Sequence, residues 1–344
     1  EVLRTKRYEA AHALGLVPEN SAMEPMASTE SWQNLEPETK RYQAKRMEVY
    51  AAMVEAMDFH TGRLIQHLKD TGHYENTIFI FASDNGSEGS GAGVEPAPAN
   101  NLMLSLMDYN DDYETLGLKG SYGTIGPNFA SAAASPLGYY KFYVGEGGLR
   151  VPLIIAGEPL NLSDPNSIID AFSYATDIVP TILQLTGVPQ PNGRYNSREV
   201  EPIVGRSMVP LLQGQAERIY GDDDAIGYEL NGHRALFLGD HKIVYNRPPI
   251  GDGIWHLYNI ATDPGETQDL REQQPQRFAR MQALYEQFVV EHGVLPVAED
   301  FDPQQVMLAR LVRDRFGGYL IALVCVVVAL VAFGFYRRRR LRTR

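Results

Sequence analysis

The sequence predicts an α/β fold: a partial mixed sheet flanked by helices, then a small α+β C-terminal subdomain and one C-terminal transmembrane helix. Three observations carry this. A helix-period stripe over residues 37–70 leads through a short turn into the apolar run 77–83, which ends on Asp84-Asn85-Gly86. Helix, turn, buried strand and polar residues at the strand's carboxyl end is the layout that puts ligand groups in the crevice of an open sheet. Short alternating runs separated by Gly-containing turns fill residues 225–258. Residues 317–336 carry no Asp, Glu, Lys, Arg or His over 20 positions, about the length a helix needs to cross a ~30 Å hydrocarbon core.

Residues 1–14 read as a short helix, and residues 14–35, rich in Pro, Ser, Glu and Met, as a surface connection. In the long helix, Met47, Tyr50, Val54, Met57, Leu64 and Leu68 recur at alternating spacings of three and four, with Thr61 filling the register. Such a stripe is expected to pack on a sheet. The unbroken run 77–83 suits a parallel strand buried on both faces. Residues 87–140 form a long excursion rich in Gly, Ser, Ala and Asn, of a length that is usually functional or disordered. A second buried strand is expected over 150–156, and a helix over 177–187 with Pro180 in its first turn and Gly187 at its end. In 225–258 the breaks at Asn231-Gly232, Gly239-Asp240 and 248–253 suggest a small antiparallel sheet. Residues 275–292 form an amphipathic helix with Phe278, Met281, Leu284, Tyr285 and Phe288 on one side. The expected division is 1–214 for the large domain, 215–300 for the small one, 301–316 as linker, 317–336 as the membrane span and 337–344 as a basic cytoplasmic tail.

The formal net charge is -12, although residues 337–344 contain six Arg and no acid. The rest is therefore strongly acidic, which argues against nucleic acid as a partner. The single cysteine, Cys325, lies inside the apolar run. That excludes a disulfide framework, a thiolate zinc site and a cysteine nucleophile in the preceding part. Arg clusters beside a span are retained in the cytoplasm, which places residues 1 to about 310 on the periplasmic or extracellular side. Gly-Gly, apolar run and Arg cluster also resemble a bacterial C-terminal sorting signal that is cleaved after export. The opening EVLRTKRYEAAHALGLVPEN has no signal-peptide pattern, so a missing N-terminal part is expected.

Asp84 and Asn85 offer an anionic and an amide oxygen, hard donors that Ca²⁺ or Mg²⁺ takes in sets of six or more. Two donors do not make a site. Asp-Asn-Gly after a strand is often only a turn, and Asn85-Gly86-Ser87 also fits a glycosylation sequon. The segment MVEAMDFHTGRLIQHLKDTGHYENTIFIFASDNG and the later KFYVGEGGLRVP (141–152) closely resemble the sulfatase family of the alkaline-phosphatase-like superfamily. Further likenesses, in order, are ATDIVPTILQLTGV, GRSMVPLLQG, GYELNGHRALFLGDHKIV and WHLYNIATDPGETQDL. SYGTIGPNFASAAASP (121–136) is most similar to the bacterial arylsulfatase branch.

The resemblance implies an alkaline-phosphatase-like sheet and hydrolysis of sulfate monoesters. It also implies a Ca²⁺ ion, with Mg²⁺ the second choice. Asp84 and Asn85 match the family's second pair of calcium ligands, and Lys141 matches the lysine that binds the sulfate group. An ammonium is a compact charge able to stabilise charge developing on ester and leaving oxygens. The family's nucleophile is a formylglycine made within Cys/Ser-x-Pro-x-Arg, a motif this sequence lacks. Nucleophile, first Asp pair, upstream Lys and catalytic His residues are therefore expected in the missing N-terminal part. The chain then reads as the C-terminal portion of a membrane-anchored sulfatase, inactive alone. Glu146-Gly147-Gly148-Leu149-Arg150 reads as a backbone turn braced by its charged pair. Asp58 and Arg63 read as capping or bridging residues, and His60, His67 and His73 as surface residues. Arg234, Asp240 and His241 fall in the sheet that borders family active sites. Two other functions remain: a phosphonate or phosphate monoester hydrolase of the same superfamily, and a non-catalytic surface-binding domain. The expected partners are a sulfate ester and, through 317–336, a membrane.

Overall fold

The computed structural model describes residues 2–23, 31–89, 104–105, 107–248, 251–298, 301, 305–306, 309–310 and 312–318. The chain divides into two units, Glu1–Val294 and Leu295–Arg344, and every element named below belongs to the first.

Helix α1 spans Val2–Ala13 and α2 spans Pro37–Asp70, with Pro37 in its first turn where a missing N–H costs nothing. Only Gln43 and Arg46 of α2 are buried. Its first third packs on α3 (Gly126–Ala134), with Met47 against Ile125, Ala130 and Tyr140. The stripe expected to be core is not: Tyr50, Val54, Met57 and Leu64 are 40 to 53% exposed. Periodicity identifies an apolar face, but it does not supply the surface that covers it.

Strand β1 (Phe79–Ala82) pairs with β2 (Leu153–Ala156), Phe79 opposite Ala156 and Ala82 opposite Leu153. The pairing is antiparallel, which corrects the expectation of a parallel strand buried on both faces. Leu153 and Ile155 pack with Ile78, Leu160, Met208 and Leu212 on one side. Ile154 and Phe81 remain exposed on the other. The covering side is built from α5 (Ile178–Thr186) and α6 (Val209–Leu212). Two short strands, β3 (Arg194–Tyr195) and β4 (Arg198–Glu199), form a hairpin of their own.

The second sheet is a four-stranded antiparallel meander, β5 (Ala225–Leu230), β6 (His233–Leu238), β7 (His241–Tyr245) and β8 (Trp255–Asn259). Its first hairpin turns on Asn231-Gly232, both at positive φ (52° and 85°), the backbone a two-residue turn of matching twist requires. One face packs Leu236, Leu238, Ile243 and Leu257 against Met281 and Tyr285 of α7 (Pro275–Glu291). The opposite face presents Ala235 and Val244 to Val144 and to Leu149 at the end of the one-turn helix α4 (Glu146–Leu149). The meander is thus held between a helix and the loop that precedes β2. That loop carries Lys141.

No helix among the described residues is long and apolar enough to cross a membrane. The longest, α2, carries charged side chains along its whole length. Among the described residues this corrects the expected transmembrane helix and, with it, the membrane partner and the single-pass topology that placed the C terminus in the cytoplasm: none of them forms such a span. Residues 319–344, most of the segment behind that expectation, lie outside the described residues.

Candidate active site

Strand β1 delivers the chain to Ser83, whose N–H donates to Pro152 O at 3.3 Å, so the strand end stays tied to the start of β2. Beyond it the loop 84–89 runs alongside 138–148. Gly86 N–H donates to Gly148 O at 2.9 Å and Lys141 N–H to Ser87 O at 3.0 Å. The contact is too close for a side chain: a Cβ on Gly86 would lie 1.9 Å from Gly147 O. Glycine here serves close backbone approach. It also brings Asp84-Asn85 and Lys141, 56 residues apart in number, onto adjoining loops.

Asp84 is exposed and Asn85 half-buried. Asn85 Nδ2 donates to Asp84 Oδ1 at 2.5 Å, while Asn85 Oδ1 is buried with no hydrogen-bond partner. A buried acceptor without a donor is costly, and a hard cation would satisfy it. These two oxygens therefore fit as a pair of ligands. Among the described residues, however, no group of three or more His, Cys, Asp and Glu could hold a metal ion. The expectation of a calcium centre is corrected accordingly, since two adjacent oxygens are far short of the six or more such an ion takes.

Lys141 Nζ lies 2.6 Å from Glu88 Oε2, with both side chains about one-third exposed, and 5.1 Å from the centre of the Phe142 ring. Tyr139 and Phe142, to either side of Lys141, have φ of 66° and 80°. For bulky residues this left-handed backbone is strained. Such strain persists only where the surroundings over-determine it.

The expected brace between Glu146 and Arg150 does not form. Arg150 pairs with Asp170 at 3.1 Å, whereas Glu146 Oε1 is 2.9 Å from Lys242 Nζ. Lys242 makes a second ion pair, to Glu266 Oε1 at 2.9 Å, and all three side chains are buried. Burial pulls the Lys242 pKa down, but the two carboxylates outweigh it and the net shift is upward. Burial pushes the Glu266 carboxyl up to about 7, opposed by Lys242 and assisted by Glu146. The sequence reading missed this cluster. Of the three residues expected to border the site, Arg234 stacks over Tyr245, Asp240 accepts from Ile260 N–H and His241 meets Arg277. Arg63 meets His60 on the surface of α2.

Residues 11–188 match the sulfatase family model, more than half of the chain. The chain belongs to the sulfatase family. It is 36% identical to an uncharacterized sulfatase of Schizosaccharomyces pombe over 90% of this chain and 55% of that protein. With the arylsulfatase of Klebsiella aerogenes it shares 31% identity, over 61% of this chain and 44% of that one. This sulfatase-family chain thus spans about half the length of these relatives. The solved structure of BT4656 with its substrate D-glucosamine-2-N,6-O-disulfate is similar at a TM-score of 0.45 and 22% identity, covering 71% of this chain and 40% of that one. These matches correct the reading of the chain as only a C-terminal portion. The family match lies in its first part, and the yeast relative aligns along nearly all of it.

Proposed function

We propose that the loops 84–89 and 138–148 form the sulfate-ester site of a sulfuric ester hydrolase. Lys141 holds the sulfate group, and Asp84 and Asn85 offer two oxygens to a hard divalent cation. The observation that supports this most directly is the ion pair between Lys141 Nζ and Glu88 Oε2 at 2.6 Å. It brings an ammonium onto the loop that follows Asp84-Asn85, so that positive charge and hard oxygens share one edge of the β1 and β2 sheet.

The chemistry follows from charge. Cleaving the S–O bond of a sulfate monoester moves negative charge onto the leaving oxygen and the sulfuryl oxygens. Lys141 can meet that charge with three donors on a flexible stem. A cation at Asp84 and Asn85, when bound, would polarise the sulfate oxygens as a Lewis acid. Glu88 orients the Lys141 ammonium and neutralises it while no anion is there. The chain has no Cys/Ser-x-Pro-x-Arg motif, so no residue is assigned as nucleophile.

Calorimetric titration with 4-nitrophenyl sulfate and 4-nitrophenyl phosphate, on the wild type and Lys141→Ala, tests the reading. The aryl sulfate should bind, and Lys141→Ala should weaken it by about tenfold or more. Equal binding by the variant would overturn the role of Lys141. Tighter binding of the phosphate would move the substrate class to phosphate esters.

A further inference from the structure

A cluster of three deeply buried charges lies behind the site, not in it. Lys242, in the middle of β7, has no exposed side-chain surface, and Glu146 and Glu266 expose 4% and 2% of theirs. Each carboxylate accepts from the Lys242 ammonium at 2.9 Å. Glu266 uses its other oxygen too, accepting the backbone N–H of Glu146 at 3.0 Å. Two carboxylates around one ammonium leave the cluster with an excess negative charge in a desolvated place once Glu266 is ionised. An apolar trio of similar volume would often be at least as stable, so stability is a poor account of why the charges are there.

A better account lies in what the cluster grips. Glu146 is five residues from Lys141 on the loop whose Tyr139 and Phe142 hold strained left-handed backbone, and Glu266 itself sits at φ 55°. The loop is wedged against Glu266: a Cβ on Gly145 would come 2.8 Å from Glu266 Oε2. On its far side the same loop is tied to Ser87 and Gly86. Lys242 lies on β7 and Glu266 follows β8, so both anchors belong to the meander region.

We propose that Glu146, Lys242 and Glu266 form a positioning device that sets the 138–148 loop, so that the meander determines where the Lys141 ammonium points. The inference rests on the reading of Lys141 as the sulfate-binding group. The three residues are closed off from solvent and act through the loop. They are positioning residues, not catalytic ones.

The test uses the full chain and inorganic sulfate. Acetic anhydride acylates exposed lysines, and mass spectrometry gives the sulfate concentration that halves the rate at Lys141. Glu146→Ala removes one acceptor yet leaves the neutral pair of Lys242 and Glu266, so the fold should survive. Intact amide exchange in β6 and β7 checks this. The half-protecting sulfate concentration should rise by about tenfold or more, and exchange at Gly147 and Gly148 should quicken by a similar factor. Glu146→Gln, which keeps an oxygen for Lys242, should restore both to within about threefold. Lys242→Met strands two buried carboxylates and threatens the fold, so the Glu146 pair of variants decides. Sulfate protection that is present in the wild type and unchanged in Glu146→Ala would overturn the positioning role alone. A deficit that Glu146→Gln fails to rescue would do the same. If sulfate does not protect Lys141 even in the wild type, the site reading falls and the positioning role falls with it.

Discussion

Lys141 and Glu88 form an ion pair at 2.6 Å, with side chains 33% and 32% exposed. The ammonium proposed to take sulfate is thus held by a carboxylate on the adjoining loop. An incoming anion must share Lys141 with Glu88 or displace it, and at close range it is repelled by that carboxylate. A partly exposed pair of this kind contributes only about 0.2–1 kcal/mol, so the competition is winnable.

Glu88→Gln should therefore tighten sulfate binding. Losing the ion pair and the repulsion together should improve affinity by about three- to tenfold. Calorimetry at low ionic strength reads it, and the gain should shrink as salt screens the charges. Weaker binding by Glu88→Gln would mean that Glu88 helps to present Lys141 more than it competes for it.

The oxygens of Asp84 and Asn85 should respond to cations independently of Lys141. With Mn²⁺ as a paramagnetic probe, Asp84→Ala should weaken binding by about tenfold. Lys141→Ala should leave it near the wild-type value, because the ammonium is no ligand. Water-proton relaxation distinguishes the two. A Mn²⁺ affinity that ignores Asp84→Ala would remove that residue from the cation site.

Much of the local structure was legible because it is encoded locally. The helix over Pro37–Asp70, the helix over Pro275–Glu291 and the turn at Asn231-Gly232 each follow from periodicity, an N-terminal proline or a residue pair suited to positive φ. The direction of β1 was not legible, since a continuous apolar run specifies neither the sense of its partner nor which faces are covered. Nor was the apolar face of α2, which is correctly periodic and largely uncovered. At the site, Asp84, Asn85 and Lys141 stood out only through their motifs. The Lys242 cluster stood out through nothing. Its partners are 96 and 24 residues away in sequence, and a lone Lys in an alternating strand looks solvent-facing.

Glu266 gives stability a pH dependence whose sign is fixed. Burial raises its pKa from 4.5 to about 7, so between those values the folded chain binds more protons than the unfolded one. The contribution is fully present below the unfolded value and is lost as pH rises through about 7. The slope is at most about 1.4 kcal/mol per pH unit. Lys242, with its pKa raised, stays charged throughout, and Tyr139 and Tyr258, which face Glu266, are pushed up chiefly by burial and stay neutral. His233 and His241 act oppositely, because burial lowers their pKa and stability from them rises with pH. The difference between wild type and Glu266→Gln isolates the one group. Urea unfolding from about pH 5 to about pH 8 should show Glu266→Gln gaining on the wild type as pH rises, and parallel curves would refute the shift.

Two Gly→Ala substitutions should move stability in opposite directions for reasons that geometry separates. Gly62 lies inside α2 with nothing within 4 Å of an added Cβ. Alanine there restricts the unfolded chain and favours helix, so Gly62→Ala should stabilise by about 0.5–1 kcal/mol. At Gly86 the added Cβ would fall 1.9 Å from Gly147 O and 2.9 Å from the Cα of Gly148. Those neighbours are backbone, so no rotamer change relieves the clash and the two loops must part. Gly86→Ala should cost about 1–3 kcal/mol and break the Gly86 N–H to Gly148 O bond. Because Lys141 hangs on the same pair of loops, sulfate protection of its ammonium should fall as well, which no effect of Gly62→Ala could mimic. Thermal unfolding with amide exchange at Gly86 provides both readouts. A Gly86→Ala chain with wild-type stability and exchange would show that the loops are not in contact as described.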